Sequence, residues 1–291
     1  MNVDREGLTP YLLIAPSLAY LAFFIGYPLV EGVRLAFTGP DGRLSLENLD
    51  YLLHSPSSLF WDALKYTLAL AAIVIPVEAL LAIGLAMLLS SRFRGRDAAV
   101  YVLVVPLVIS DVAAGLIWYT MLTTGGFLNK LLLNLGVISQ PVYIFGREYL
   151  AREFAAIVVT EVWRSTSIVF IIVFAGLQMI SGDLLEAAEV FGANWVQKAR
   201  HIVIPLLKPS LQAALIIRTL FAFQVFGDIW ILAGRDIPVL AGEAYYEQVY
   251  LRHTGVAALY ALIIAAFSLA LGMVYLRVFR ARYLEAGGVR G

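Results

Sequence analysis

The stretch DLLEAAEVFGANWVQKARHIVIPLLKP, residues 183–209, is a mixed-charge segment between two long apolar segments. Four of its apolar residues, Leu184, Ala187, Ala188 and Phe191, fall at positions i, i+3, i+4 and i+7, which places them on one face of a helix. We therefore expect a short helix outside the bilayer with a small apolar face. Such a face suits close docking by a partner protein; the alternative is a helix that rests on lipid headgroups.

Residues with known capping preferences mark the ends of this helix. Asp183 can cap its start, and Glu186 three residues later gives the spacing of a capping box. Gly192 is predicted to end the helix, because glycine readily adopts the left-handed conformation common at helix ends. Asn194 and Gln197 repeat the start signal, so the sequence predicts a second short helix after the glycine turn.

The composition of the chain is that of a membrane protein. Of its 291 residues, 61% are hydrophobic and only 14% are charged, and the mean hydropathy is +0.83. The net charge is zero, which argues against a nucleic-acid partner, and the absence of cysteine excludes disulfides, thiolate metal sites and thiol catalysis. The three histidines, His54, His201 and His253, lack metal-ligand spacing. The first ten residues carry one Arg and two acidic residues before the first apolar run, which is not a signal-peptide pattern.

The apolar segments predict an all-α, polytopic protein with a single membrane domain over residues 1–291. Each span needs about 20 apolar residues to cross the bilayer core. The sequence offers six such spans, with the segment from residue 181 to 209 forming the loop between the fourth and the fifth. The predicted spans cover approximately residues 11–37, 63–90, 98–122, 154–180, 210–233 and 255–279.

The distribution of positive charge predicts that both termini are cytoplasmic. With that orientation, eleven Lys and Arg residues lie on the inner side and six on the outer side. The loop at residues 91–97 carries three arginines and is the clearest cytoplasmic loop. Residues 181–209 then also face the cytoplasm. The outer segment at residues 123–153 carries three positive charges, which weakens the bias.

Charged side chains within the predicted spans are candidates for a polar cavity. Each costs about 2.5–3.5 kcal/mol at mid-bilayer on insertion scales, so such groups normally face the interior of a bundle. In the fourth span, Glu161, Arg164, Ser165 and Ile168 share one helix face, and Glu161 and Arg164 can form an ion pair. The charged residues concerned are Glu78, Asp111, Glu161, Arg164, Arg218 and Asp228.

A sugar site needs groups that hydrogen-bond to hydroxyls and a flat apolar ring surface. Trp, Gln, Asp and Arg side chains of the fourth and fifth spans supply both. Each has an alternative role, since tryptophans near a membrane boundary are commonly interfacial anchors and paired charges can be purely structural. The candidates for the substrate pathway are Trp163, Arg164, Gln178, Gln224, Asp228 and Trp230.

The loop resembles a known motif. Glu186-Ala187-Ala188, followed by Gly192, Ile202 and Pro205, is similar to the EAA loop of binding-protein-dependent ABC importer permeases. The run EAAEVFGANWVQKARHIVIPLLKPSL resembles the carbohydrate branch, and IAPSLAYLAFFIGYPLVEGVRLAF resembles the first helix of the "first" permease in that branch, of the maltose, trehalose or glycerol-phosphate type. The resemblance implies the type I importer fold, with a coupling helix that seats in an ATPase cleft. The implied coupling residues are Leu184, Glu186, Ala187, Ala188, Phe191, Gly192 and Pro205.

The resemblance also implies the partners and the location. They are a second homologous permease, two copies of a cytoplasmic ABC ATPase, an external solute-binding protein, a sugar and the bilayer of the prokaryotic inner membrane. ATP and Mg would lie on the ATPase, because this chain has no G-x-x-x-x-G-K-[ST] motif, so we expect it to bind no cofactor and to be no enzyme. The turn at residues 233–236 departs from the family pattern, which leaves its role open.

Three alternatives remain at this point. Within the importer class, glycerol phosphate or another small solute could replace the disaccharide or oligosaccharide of the maltose and trehalose kind that we expect. An ion-coupled secondary transporter could use the carboxylates in the spans, but it would predict repeated, broken helices in two halves, and no such repeat is visible. An assembly protein without transport activity would not need charged groups inside its spans.

Overall fold

The computed structural model describes residues 3–91 and 93–278, with the backbone alone for residues 3–10. These residues form helices, and an isolated β-bridge joins Thr38 to Leu44, so the all-α prediction is confirmed. Arg92, the last residue of the predicted sixth span and the predicted basic tail lie outside the described residues. The α-helices are α1 Val3–Leu21, α2 Tyr27–Ala36, α3 Glu47–His54, α4 Phe60–Leu88, α5 Arg96–Val104, α6 Asp111–Leu122, α7 Phe127–Asn134, α8 Leu150–Gln178, α9 Gly182–Val190, α10 Trp195–Lys198, α11 Ile204–Ala222, α12 Gly227–Ala233, α13 Leu240–Val249 and α14 Thr254–Val278.

Five helical stretches of the described chain are long and apolar enough to cross a membrane, and a sixth candidate is a bent pair. The bent pair joins Arg96–Val108 to Asp111–Asn134 at an angle of 107°. A six-span membrane protein therefore accounts for the structure if the bent pair counts as one span. The five continuous stretches are Tyr11–Ala36, Phe60–Leu88, Arg147–Gln178, Trp195–Ala222 and Thr254–Arg277.

The third span differs from its prediction as one continuous helix. Helix α5 tightens into a 3₁₀ turn at Val105–Val108, which contains Pro106, and Ile109 is extended. Proline lacks an N–H group and cannot continue the hydrogen-bond ladder of the preceding helix. Ser110 then starts α6, since its hydroxyl accepts a hydrogen bond from the N–H of Ala113 at 3.3 Å. Two short helices therefore replace the single span.

The fifth span begins earlier and ends earlier than predicted. Asn194 and Gln197 form the predicted capping box, with reciprocal hydrogen bonds of 2.9 and 2.8 Å. The helix that they start is not short, because α10 continues through a π turn at Ala199–Val203 into α11. In that turn the N–H of Ile204 bonds to the carbonyl of Ala199, an i→i−5 bond just before Pro205. At its other end α11 stops at Ala222, and a turn separates it from α12.

Helix α9 corresponds to the short helix predicted in the opening stretch, but its start differs. The extended conformation of Ser181 begins the helix two residues early, so Asp183 lies inside the first turn and does not cap it. The end is as predicted. Gly192 has a φ of +78°. Its N–H donates to the carbonyl of Glu189 at 2.8 Å, and the N–H of Ala193 donates to the carbonyl of Ala188 at 2.9 Å. This pair of bonds is a Schellman motif, which requires a left-handed residue at the glycine position.

By internal contacts the described chain divides into two units, and the single membrane domain stays a prediction. One unit contains residues 3–61 and 243–263. In it, the side-chain amide of Asn48 donates to the carbonyls of Leu35 at 3.3 Å, Ala36 at 3.0 Å and Thr38 at 3.0 Å. The end of α2 is thereby closed, because the last carbonyls of a helix lack their usual i+4 partners.

The other unit contains residues 62–91, 93–242 and 264–278, and α8 is its central helix. Its largest apolar cluster includes Phe170 and Val173 of α8 with Leu207 of α11. Helices α8 and α11 come so close at Gly176 that a Cβ atom there would overlap the hydroxyl of Ser210. Close approach at small residues is a common way for helices to pack in membranes.

The contact at Gly176 generates a prediction about stability. Gly176→Ala should lower the free energy of unfolding by about 1–3 kcal/mol, because the new methyl group forces α8 away from α11. Gly84→Ala is the matched control, since Gly84 lies inside α4 with no atom within 4 Å of its Cβ position. The thermal unfolding midpoint in detergent measures both changes. Equal midpoints for the two variants would contradict the close packing.

Candidate functional site

A buried arginine joins three of the long helices. Arg218 of α11 donates from Nε to Oε2 of Glu78 at 2.9 Å and from a terminal nitrogen to Oε2 of Glu161 at 2.8 Å. All three residues are at most 2% exposed. Glu78 lies in α4 and Glu161 in α8, so a single guanidinium holds α4, α8 and α11 together. The sequence marked these residues as charged groups inside spans but did not predict that they meet.

A second arginine extends this network toward the bend in the third span. Arg164 donates to Oε1 of Glu161 at 2.8 Å, which confirms the predicted ion pair, and to Oδ1 of Asp111 at 2.7 Å. Its Nε lies 4.0 Å from Oδ2 of Asp228. Glu161 therefore bridges the two arginines. Because Asp111 starts α6, the network also fixes the position of that helix.

Glycines allow the acidic residues of α6 and α12 to approach the network. A Cβ atom at Gly115 would lie 2.9 Å from the Cα of Asp228, and one at Gly227 would lie 2.9 Å from the Cβ of Asp111. The two short helices therefore pack almost backbone to backbone. Asp228 is fully buried by this contact, and its Oδ1 accepts a hydrogen bond from the N–H of Ile229 at 2.9 Å.

A cavity of about 380 Å³ lies against the network. Its polar wall contains Asp111, Arg164, Ser165, Arg218 and Gln224. Apolar surface comes from other lining residues, which are Pro106, Leu107, Ile168, Phe221 and Val225. Hydrogen-bonding groups together with an exposed aromatic ring, that of Phe221, suit a small polar ligand such as a sugar.

The cavity wall contains two of the six residues that the sequence proposed for the substrate pathway, Arg164 and Gln224. Asp228 is buried behind the wall, next to Arg164. Trp163 packs edge to face on Trp118, with ring centroids 5.8 Å apart, and does not line the cavity.

The remaining two candidates lie away from the wall. Trp230 packs on Phe226 with a centroid distance of 5.5 Å and is not part of the lining. Gln178 is fourteen residues beyond Arg164 on α8, about 21 Å along the helix axis. Sequence reasoning selected these residue types without knowing where α8 and α11 meet the bent span, and that contact decides which side chains line the cavity.

Several residues that line the cavity were not predicted as site residues, although the sequence carried a spacing signal for two of them. Ser165 and Ile168 share a helix face with Arg164 by spacing alone, and both line the cavity. Leu107 and Phe221 carry no such signal, because their exposure results from the bend after Val108 and the end of α11 at Ala222.

The α9 segment presents an exposed apolar surface. Leu184 is 45% exposed and Phe191 is 90% exposed, Ala187 is also exposed, and Ala188 is half-buried. Beyond the predicted face, Val190 is 86% exposed. Two further exposed apolar residues that the sequence did not single out are Trp195 and Val196.

The charged groups of this segment also have defined positions. Lys198 of α10 pairs with Glu189 of α9, which ties the two helices together across the glycine turn. Glu186 is exposed, and no side chain in the described part of the chain pairs with it. Pro205 is exposed near the start of α11, where it follows the π turn and lies outside α9. In the described ranges, no three His, Asp or Glu side chains are grouped as metal ligands.

Relatives and solved structures resemble the chain over nearly its full length. The trehalose/maltose transport system permease protein MalF of Thermococcus litoralis is 30% identical over 292 residues, which cover 96% of each chain. The sulfoquinovosyl glycerol transport system permease protein SmoG of Agrobacterium fabrum is 30% identical over 290 residues, 95% of this chain and 92% of the relative. No protein-family model matches the chain.

The fold has a close counterpart in a bacterial ABC transporter involved in the import of the acidic polysaccharide alginate. One chain of its crystal structure matches with a TM-score of 0.80 at 22% identity, covering 96% of this chain and 97% of that chain. The alginate transporter has also been solved in complex with an alginate pentasaccharide-bound periplasmic protein. These structures share the helical architecture described above.

The buried arginine generates the second prediction. Arg218→Met should cost about 3–5 kcal/mol of stability, because it leaves Glu78 and Glu161 buried without their shared counter-ion. Arg147→Met is the control, since it removes an exposed arginine, paired with Asp236 at 2.8 Å, that is worth about 1 kcal/mol at most. Unfolding midpoints in detergent compare the two. Adding Glu78→Gln to Arg218→Met should recover part of the loss, and no recovery would argue against the charge-pairing explanation.

Proposed function

Because this chain belongs to the permease subunits of carbohydrate ABC importers, we propose that it forms one half of a sugar translocation pathway. A second, homologous permease would supply the other half. The observation that carries this proposal is the cavity bordered by Arg164 and Gln224. Arg164 is the fifteenth of the 29 residues of α8, so this cavity lies halfway along that helix. A solute on its way across the bilayer would meet these groups at mid-depth.

The exposed apolar surface of α9 is the proposed contact with a cytoplasmic ABC ATPase. Leu184, Ala187 and Phe191 would enter a cleft of the ATPase, with Val190 beside them. The support is their exposure next to a helix end that is fixed by the Schellman motif at Gly192. The side chain of Glu186 forms no hydrogen bond or ion pair within the described chain and so could pair with a basic group of that subunit.

The complete assembly would have two permeases, two copies of the ATPase and an external solute-binding protein. ATP and Mg would be bound by the ATPases, and the chain itself would be a permease without enzymatic activity. Both termini would be cytoplasmic, in agreement with the excess of Lys and Arg on that side. The divergent turn at residues 233–236 would face outward, and there Asp236 pairs with Arg147 at 2.8 Å.

Transport would follow from movement of α9. Closure of the ATPases would move α9, and the helices on either side of it, α8 and α11, would transmit that movement as a rigid-body rotation. Those two helices carry Arg164 and Arg218, so a rotation would open the cavity first to one side of the membrane and then to the other. We expect the solute to be a disaccharide or oligosaccharide of the trehalose and maltose kind.

Two other functions are weaker candidates. A small solute other than a neutral sugar has some support from SmoG, whose name refers to sulfoquinovosyl glycerol, and glycerol phosphate also stays possible. An ion-coupled secondary transporter would need carboxylates that are free to bind an ion. Here Glu78, Glu161 and Asp111 are each bonded to an arginine, which argues against that role.

The proposed ATPase contact can be tested with a charge on the docking face. Ala187→Asp and Phe191→Asp should each remove most of the ATPase that copurifies with the chain in mild detergent, because a buried unpaired carboxylate strongly opposes binding. Leu44→Asp is the control, since Leu44 is 85% exposed and lies far from α9 in sequence. If the α9 variants retain the ATPase as Leu44→Asp does, α9 is not the contact.

The proposed solute contact can be tested with two glutamines. In proteoliposomes that contain the complete importer, Gln224→Ala should reduce sugar uptake about 2- to 10-fold, the effect of losing one hydrogen bond to the solute. Gln178→Ala is the matched control, because Gln178 is an exposed glutamine away from the cavity. Assembly should be unchanged in both. Equal uptake by the two variants would remove Gln224 from the pathway.

A further inference from the structure

The charges around the cavity have an excess of negative sign. The wall and the layer behind it contain four carboxyl groups but only two guanidinium groups. The carboxyl groups belong to Glu78, Asp111, Glu161 and Asp228, and the guanidinium groups to Arg164 and Arg218.

The positive groups that line the cavity are already neutralised by protein carboxylates. Arg164 bonds to Asp111 at 2.7 Å and to Glu161 at 2.8 Å, and Arg218 bonds to Glu161 and Glu78. Neither guanidinium is therefore left to form the bidentate pair with which arginine binds a carboxylate, sulfonate or phosphate.

Other sources of positive charge do not reverse this balance. The N-terminal ends of α6 and α12 contribute at most about half a unit charge each. Each helix has its own aspartate in its first turn, Asp111 or Asp228, which offsets that contribution. A proton shared among the buried carboxyl groups would remove one negative charge and still leave no net positive charge.

From this charge balance we infer that the cavity selects neutral saccharides and rejects anionic ones, and that Asp111 is the residue that sets this preference. The inference rests on the proposed function, since it assigns the substrate class of the same cavity. Asp111 is the most exposed member of the network, with 46% of its side chain accessible, and it occupies one terminal nitrogen of Arg164. A ligand anion would have to compete with Asp111 for that nitrogen and would be repelled by it.

The role of Asp111 is that of a specificity determinant, and neutral hydroxyls can still bind around it. A carboxylate accepts hydrogen bonds from sugar hydroxyls, while Ser165 and Gln224 supply further polar groups on the same wall. Anionic glycans gain nothing from these groups that offsets the repulsion. The preference therefore distinguishes this chain from a permease whose cavity accepts an acidic solute.

The test uses the purified, nucleotide-free importer complex without the external binding protein, so that only the membrane cavity selects. Two probes differ in one group: a neutral α-linked glucose disaccharide, and the same disaccharide with one hydroxymethyl group oxidised to a carboxylate. Binding of each is followed by quenching of tryptophan fluorescence. The wild type should bind the neutral probe about tenfold more tightly than the uronic acid, because the carboxylate of the uronic acid is repelled by the carboxylate of Asp111.

Asp111→Asn should reduce that preference to about threefold or less, because it removes one negative charge and frees Arg164 for the anion. Asp97→Asn is the matched control, since Asp97 is an aspartate of the same unit whose side chain is 85% exposed and which does not line the cavity. The control should keep the wild-type ratio. If Asp111→Asn and Asp97→Asn give the same ratio, or the wild type binds both probes equally, the inference is overturned while the importer function stands.

A salt series on the wild type tests the inference without any variant. Added salt screens repulsion, so binding of the uronic acid should tighten with ionic strength while binding of the neutral probe stays constant. Weaker binding of the uronic acid at high salt would mean that the cavity attracts anions, which contradicts the inference. If the wild type binds neither probe, the assignment of a solute site to this cavity fails, and if the complete importer with its binding protein takes up no sugar, the proposed function fails as well.

Discussion

The fold depends on keeping Arg218 and its two carboxylate partners out of the lipid. A guanidinium or carboxylate in the hydrocarbon core costs several kcal/mol unless it is paired and hydrogen-bonded. Glu78 and Glu161 meet that requirement only when α4, α8 and α11 lie side by side, so the pairing determines which helices are neighbours. Apolar packing alone would specify this less sharply, because lipid tails are as apolar as the side chains that they would replace.

The same constraint explains why a cavity can exist beside the network. Arg164 turns one nitrogen toward Glu161 and another toward Asp111, which stands at the start of α6. Since α6 begins only after the bend, the chain leaves a gap between the bent span and the straight helices. This gap is lined by charged groups of the network, which are paired with one another. The bend and the network thus depend on each other.

Local signals in the sequence predicted some helix boundaries but not the contacts between helices. The capping box at Asn194 and the stop at Gly192 involve residues that are neighbours in the chain, and both were predicted. The break after Pro106 was missed because the proline and the cap at Ser110 lie within a long apolar run that predicts one continuous span. Asp183 fails as a cap since Ser181 begins the helix. The meeting of Arg218 with Glu78 joins residues 140 positions apart, and no spacing rule reaches that far.

The contact at Gly176 has a mechanical consequence. It lies two residues before the end of α8, and it presses α8 against α11, the two helices on either side of α9. A contact without room for a methyl group can act as a fulcrum, because the helices cannot come any closer there and a tilt of one against the other would pivot about it. Arg164 is twelve residues away, about 18 Å along the axis. A tilt of about 5° at this fulcrum would displace Arg164 by roughly 1.5 Å. Such a displacement is enough to break a hydrogen bond of 2.7 Å between Arg164 and Asp111. A small tilt at the C-terminal end of α8 would therefore change the ion pairs at the middle of the helix.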